Sequence, residues 1–255
     1  MFSYPSFKIN IGLNILQKRE DGYHELETVF YPVHSQKDIL EIKHIGKGVK
    51  LKVFNLDFLC EVEDNLCVKA FRLLQKDFPI DGIEIILTKN IPVGAGLGGG
   101  SADAAFALKM YNNLFDLKLS VEKLQEYASQ LGSDTVFFIE NSPAFATGRG
   151  EIVTPIALDL SAYEIRIVKP DFSISTADAY AEVKPKFAYT PLRQAIQEPV
   201  HKWKDFIQND FEDSLFKKYP ILEEMKENLY HEGAVYASLS GSGSAIYGIF
   251  RTVEF

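Results

Sequence analysis

The chain has 255 residues, 46% apolar and 24% charged, and its 27 basic against 35 acidic side chains leave a net charge of −8. These figures exclude a disordered tail, a collagen-like repeat and a disulfide scaffold. The acidic balance argues against a general nucleic-acid binder but leaves a nucleotide open, because a small polyanion responds to local backbone dipoles. At about 150 residues per domain the length suits one large domain or two small ones.

Cys60 and Cys67 stand too far apart and too few for a metal site or a disulfide framework, and read as reduced buried thiols. Met1-Phe2-Ser3-Tyr4-Pro5 lacks the charged start and apolar run of a signal peptide, and no stretch approaches the ~20 apolar residues that span a bilayer. The expectation is a soluble, cytoplasmic protein.

Residues 7–16 and 26–33 read as two strands joined by the turn chemistry of Glu20-Asp21-Gly22, and 38–44 and 49–54 repeat that pattern around Gly46 and Gly48. After Asp64, the spacing of Leu66, Ala70, Leu73, Leu74 and Phe78 predicts a helix that Pro79 ends. Residues 83–88 alternate as a strand, a glycine-dense stretch fills 94–100, and 101–115 have helical composition. Ser120 would cap a further helix that Gly132 stops. Beyond Glu151 the character shifts, placing a domain boundary near 150–160. There, strand-like 163–169 precedes helical 176–183 and 203–231, and strand-like 234–239 and 245–250 flank a second small-residue loop. From Glu198 to Glu232 nine acids face five lysines, which reads as a solvated helical face.

The stretch Ile91-Pro92-Val93-Gly94-Ala95-Gly96-Leu97-Gly98-Gly99-Gly100-Ser101-Ala102-Asp103 carries the most information. Glycine costs conformational entropy, so five in seven residues before an alanine-rich helix need a cause. A turn whose amides point at a bulky anion, at the positive end of a helix, is one cause; a tight turn with close helix packing is the other. A P-loop needs Lys after its last glycine, and Ser101 stands there instead. Gly94-x-Gly96-x-x-Gly99 with Asp116 further on fits the dinucleotide fingerprint, but any glycine-dense run does, and Pro92 interrupts the approach from the strand. A nicotinamide-dependent oxidoreductase therefore stays as an alternative, as does a nucleotide-binding module without catalysis.

Other residues bear chemistry. Lys8 and Asn10 share one face of an apolar strand, so an inward Lys8 needs an anion or carboxylate, unless the strand is an edge and the lysine meets solvent. Asp21-Gly22-Tyr23-His24 is either a turn with surface rings or a platform where a flat ligand stacks on Tyr23 and bonds His24 at its edge. Asp134, in Leu131-Gly132-Ser133-Asp134, is a helix cap or a carboxylate exposed in a cleft. Ala146–Glu151 reads as a turn with an Arg149–Glu151 pair, and Ser238–Ser244 as a second donor loop or a plain hairpin.

In order, Lys8-Ile9-Asn10, Pro92–Ser101 and Ser240–Ser244 resemble the three signatures of the GHMP small-molecule kinases. Lys18-Arg19-x-Asp21-Gly22-Tyr23-His24, Asp64-Asn65-Leu66 and Leu131-Gly132-Ser133-Asp134 narrow the resemblance to the branch that phosphorylates the 2-hydroxyl of a cytidylyl-methylerythritol. Members acting on homoserine or mevalonate are the alternative. The resemblance implies an α+β fold of two domains: 1–155, like ribosomal protein S5 domain 2, ATP-binding and catalytic; and 156–255, ferredoxin-like.

The resemblance further implies Asp134 as catalytic carboxylate with Lys8 as its partner. Asn65, Lys89, Pro92, Val93, Gly94, Ala95, Gly96, Leu97, Gly98, Gly99, Gly100, Ser101 and Ala102 would serve ATP. Asn10, Tyr23, His24, Phe30, Thr176 and Tyr180 would serve the other substrate. It implies ATP with Mg²⁺ held mainly by phosphates and no protein metal site, and no nucleic-acid or membrane partner. A monomer or weak homodimer is expected. Two features depart from the family: the chain ends at Phe255, soon after the last predicted strand, where relatives usually continue through a helix, and Ala102 stands where many have a second serine.

Overall fold

A computed structural model of the chain describes residues 1–56, 61–183, 185 and 190–252; Cys60 and Phe255 lie outside the described residues. In chain order the strands and helices are β1 (Phe2–Ser3), β2 (Phe7–Lys18), β3 (His24–Val33), β4 (Ile39–His44), β5 (Val49–Phe54), α1 (Leu66–Asp77), β6 (Ile83–Thr88), α2 (Gly99–Leu114), α3 (Val121–Ser129) and α4 (Phe137–Glu140). There follow β7 (Ala144–Thr147), β8 (Ile152–Pro155), β9 (Tyr163–Val168), α5 (Thr176–Ala181), α6 (Leu192–Ala195), α7 (Glu212–Lys218), α8 (Pro220–His231), β10 (Tyr236–Leu239) and β11 (Ile246–Arg251). The content is α+β, and no described helix is long and apolar enough to cross a membrane.

The chain packs as two compact units that interleave in sequence. The first comprises Met1–Phe7, His34–Pro92 and Gly98–Ser142. Its sheet runs β1-β4-β6-β5. The sequence suggests β4 and β5 as neighbours, but each pairs with β6 instead, β4 antiparallel and β5 parallel. The reason is burial: Ile83, Ile85 and Leu87 give β6 a fully apolar inner face, and the central position covers it best. Asn65 caps α1 by accepting a hydrogen bond from the Cys67 amide at 2.9 Å, and α1 packs on α2 through a T-shaped Phe71–Tyr111 pair. Only one pair in this sheet is parallel, and a doubly wound dinucleotide fold is thereby excluded.

The second unit comprises Lys8–Val33, Val93–Leu97 and Pro143–Phe255. One sheet runs β2-β3-β7-β8 and another β10-β11-β9. β7 and β8, absent from the sequence reading, are the arms of a hairpin whose turn is the segment read as an Arg–Glu turn; Arg149 and Glu151 do pair there, at 3.6 Å. The predicted long helix over 203–231 is broken. A 3-10 turn (Val200–Asp205) leads into a loop where Asn209 caps the Phe211 amide and Asp210 accepts from the Ile15 amide, and Pro220 separates α7 from α8. Nor is this acidic region only a solvated face. Glu212 is buried and accepts from Lys226, Ser238 and the Leu239 amide.

Candidate active site

Lys8 sits early in β2, an edge strand of its sheet whose first nine residues are nonetheless buried on both faces, so a lysine meeting solvent is excluded. Its ammonium donates to Asn10 Oδ1 at 2.5 Å and to the Gly96 carbonyl at 3.0 Å, and lies 5.1 Å from the centre of the buried Phe30 ring. Asn10 in turn donates through Nδ2 to Thr28 Oγ1, a residue with no local signal of a functional role. The glycine segment Val93–Leu97 is bound to β2 by the Lys8 amide, which donates to the Leu97 carbonyl.

The second small-residue loop is no plain hairpin. Ser240 Oγ donates to the Gly96 carbonyl at 3.1 Å, the Ala245 amide donates to the Ala95 carbonyl, and Asn209 holds the Gly241 carbonyl. A Cβ on Gly96 would stand 2.0 Å from the Ser240 oxygen, and one on Gly241 3.1 Å from Asn10 Oδ1. Backbone packing thus already demands glycine at position 96, a cause the sequence could only offer beside anion binding. Gly94 and Gly98 have positive φ. Gly99 is crowded by Ile91, whereas Gly100 is exposed, with only Leu66 Cδ1 at 3.7 Å from its added Cβ. Neither φ nor packing requires glycine at position 100.

In the same unit Tyr23 is exposed (56%), with the Arg149 guanidinium 4.7 Å from its ring centre. His24 stacks on Tyr180 at 4.9 Å and 18°, and Tyr180 meets Phe211 edge-on. Partial burial, aided by Lys18, holds the His24 pKa below its ordinary value, so the ring is neutral near pH 7. Thr176 Oγ1 lies 3.5 Å from Ser242 Oγ. Of the residues expected to serve the second substrate, Asn10, Tyr23, His24, Phe30, Thr176 and Tyr180 all lie in this unit, as does Lys8.

The first unit holds Asn65, Lys89, Pro92, Gly98–Ala102 and Asp134. Gly98 caps α2 with no side chain, so the first amides of that helix have no side-chain cap. Asp134 is half-buried in a 3-10 turn (Ser133–Thr135) after Gly132, inside the turn rather than at a cap. Lys109, on α2, donates to the Phe138 and Ile139 carbonyls of α4, just beyond that turn, and burial pushes its pKa down to about 8.

Lys89 is not open to solvent. It is buried between Asp38 and Asp103, the latter at 2.6 Å. Asp38 also accepts from the Asn90 and Ile91 amides at 2.6 and 2.8 Å. Burial opposes the Lys89 charge, yet the two carboxylates more than offset it and hold its pKa above the ordinary value. The sequence signal of this cluster is an acid, Asp103, in an alanine-rich helix.

Comparison with known proteins places this arrangement. Residues 65–147 match the GHMP kinases N terminal domain, and 192–254 the GHMP kinases C terminal domain. The chain is 51% identical to the 4-diphosphocytidyl-2-C-methyl-D-erythritol kinase of Bacteroides thetaiotaomicron, over 98% of this chain and 92% of that one. It is 49% identical to the enzyme of the same name from Bacteroides fragilis, over 100% and 93%. A crystal structure of 4-(cytidine 5'-diphospho)-2C-methyl-D-erythritol kinase matches with a TM-score of 0.82 at 32% identity, covering 98% of this chain and 90% of that one. A mevalonate kinase structure shares the fold alone, with a TM-score of 0.70 at 12% identity. The chain belongs to the GHMP kinase family, in its branch of 4-diphosphocytidyl-2-C-methyl-D-erythritol kinases.

Proposed function

We propose that the protein transfers the γ-phosphoryl group of ATP to the 2-hydroxyl of 4-diphosphocytidyl-2-C-methyl-D-erythritol, giving the 2-phosphate and ADP. The observation that carries this reading is the 49–51% identity, across nearly the whole length of both chains, to enzymes named for that substrate. In the reaction a bond forms between the 2-oxygen and the γ-phosphorus, the bond to the β–γ bridging oxygen breaks, and the hydroxyl proton passes to Asp134.

Phosphoryl transfer needs alignment and charge stabilisation more than covalent help. The Pro92–Ala102 segment takes the phosphates through main-chain amides. The uncapped start of α2 and the openness at Gly100 support this, because an approaching phosphate would need the space a side chain takes. A tertiary alcohol is hindered and weakly acidic, so Asp134 orients it and accepts its proton late. Lys8, a buried ammonium held by Asn10 and the Gly96 carbonyl, stabilises charge passing to the transferring group. Asn65 and Lys89 serve the nucleotide, the latter from beneath α2. Tyr23 offers a ring for the cytosine, and neutral His24, seated on Tyr180, can donate or accept at its edge. Asn10 and Thr176 serve the methylerythritol diphosphate, and Phe30 walls the pocket.

Among the described residues no group of three or more His, Cys, Asp or Glu side chains is placed to hold a metal ion. A Mg²⁺ arriving with ATP, held mainly by its phosphates, would offset their charge. The test is incubation with Mg-ATP and the cytidylyl substrate, with homoserine and mevalonate in parallel. ADP release and a new phosphorus resonance with the cytidylyl substrate alone support the reading. Turnover of homoserine or mevalonate instead would refute it.

A further inference from the structure

A buried cluster beneath the start of α2 has an odd charge count. Lys89 brings one ammonium, and Asp38 and Asp103 bring two carboxyls, all three nearly inaccessible. Asp38 is well served, with two amide donors besides Lys89. Asp103 is not. Its Oδ2 takes the Lys89 bond, whereas its fully buried Oδ1 has no partner among the described residues. Both carboxyls share the single Lys89 ammonium, so the second of them is neutralised only by a proton. With that proton the cluster is neutral; without it, the cluster carries a whole negative charge.

The cluster is close to the helix end. Asp103 is one turn into α2, and a Cβ on Gly99 would stand 3.5 Å from the Lys89 ammonium. A helix N-terminus supplies only about half a positive charge to an anion. An unneutralised negative charge directly beneath it outweighs that attraction.

We infer that Asp103 is a positioning residue for ATP: acting through Lys89 it braces the first turn of α2, and its proton must be in place for that turn to attract phosphate, so ATP binds together with a proton. This rests on the proposed role of Gly98–Ala102 as part of the phosphate loop. Burial first, and then Asp38, push the Asp103 pKa up to about 8 against the pull of Lys89. The linkage therefore falls at mildly alkaline pH. Other elements packed on α2 carry Glu41, Lys43 and His44 (β4), Cys67, Lys69, Arg72, Lys76 and Asp77 (α1), Glu122, Lys123, Glu126 and Tyr127 (α3), Asp134 (the 3-10 turn) and Glu140 (α4). The charges acting on Asp103 come from Lys89 and Asp38. Lys109, on the same helix, loses charge in the same pH range and needs its own control.

The experiment is calorimetric titration of the full chain with Mg-ATP, without second substrate, at pH 7, 8 and 9 in buffers of differing ionisation enthalpy. Wild type should bind about tenfold more weakly at pH 9 than at pH 7, because a group titrating at about 8 keeps its proton in only about a tenth of the molecules at pH 9. It should take up close to one proton per ATP at pH 9. Asp103→Asn, which keeps the shape and fixes the neutral state, should lose both effects, whereas Lys109→Met should retain them. Affinity independent of pH with no proton uptake overturns the inference alone. So does an Asp103→Asn variant that keeps the full dependence. Absence of ATP binding at every pH overturns the phosphate-loop reading as well. If Asp103→Asn fails to fold, the proton count on wild type decides.

Discussion

Replacing Lys89 by Met tests how far the first unit depends on its buried charges. The substitution keeps the volume but removes the ammonium that Asp38 and Asp103 share. Asp38 keeps the Asn90 and Ile91 amides as donors at 2.6 and 2.8 Å. Asp103 already holds its proton at pH 7, below its raised pKa of about 8, and so leaves no second stranded charge. What is left is one buried carboxylate stripped of its cation, and breaking such a pair costs about 3–5 kcal/mol. Against the ~5–15 kcal/mol that holds a typical domain together, that is a large share. Urea unfolding at pH 7 should show the loss as a lower midpoint with an unchanged slope. Adding Asp38→Asn to Lys89→Met should recover part of it, because the stranded charge is then gone. A loss below ~1 kcal/mol for Lys89→Met, within the range of an exposed ion pair, would refute the reasoning.

Asp134→Asn should cut turnover by about 10²–10³-fold while leaving ATP binding intact, measured by ADP release and calorimetry. Tyr23→Ala should raise KM for the cytidylyl substrate and leave KM for ATP unchanged, in steady-state kinetics with each substrate varied. Gly96→Ala should cost well over ~1–2 kcal/mol in thermal unfolding, the strain at its positive φ alone, because its Cβ would also meet the Ser240 oxygen. Gly100→Ala should fold normally and weaken ATP binding, which separates packing glycines from ligand-facing ones. Asp103 sets a sign for stability. Its folded pKa is raised, so the folded state keeps a proton that the unfolded chain loses, and wild type is destabilised as pH climbs from about 4 to 8. Asp103→Asn should flatten that slope in denaturation measured across the window.

Much of the fold was legible because burial writes itself into local pattern. The alternation at Ile83–Leu87, the helical spacing from Leu66 to Leu74 and the Ser120 cap of α3 all produce the elements their side chains imply. What stayed hidden depends on partners distant in sequence. β7 is only four residues long and becomes a strand because β3 pairs with it. The helical periodicity of 203–231 is real in α7 and α8, but Asn209 and Asp210 spend their side chains on β2, the Leu239 and Gly241 carbonyls and the following turn. No local signal announces that. The same holds for β4 and β5, whose shared partner comes later in the chain.

The candidate site divides along the same line. Backbone-driven features could be read directly, since glycine density and a helix start are local. The second small-residue loop could be noticed, yet its bond from Ser240 to the Gly96 carbonyl could not be placed. Charge was the hardest to read. Lys89 looks like a ligand-facing cation in sequence, and only the fold shows its ammonium between Asp38, 51 residues earlier, and Asp103, 14 residues later. An acid in an alanine-rich helix has a desolvation cost that must be met somewhere. That cost points from Asp103 to a buried base, and among nearby lysines Lys89 stands directly before the glycine loop. A buried acid therefore deserves the same question in sequence as a buried lysine, because each implies the other's position.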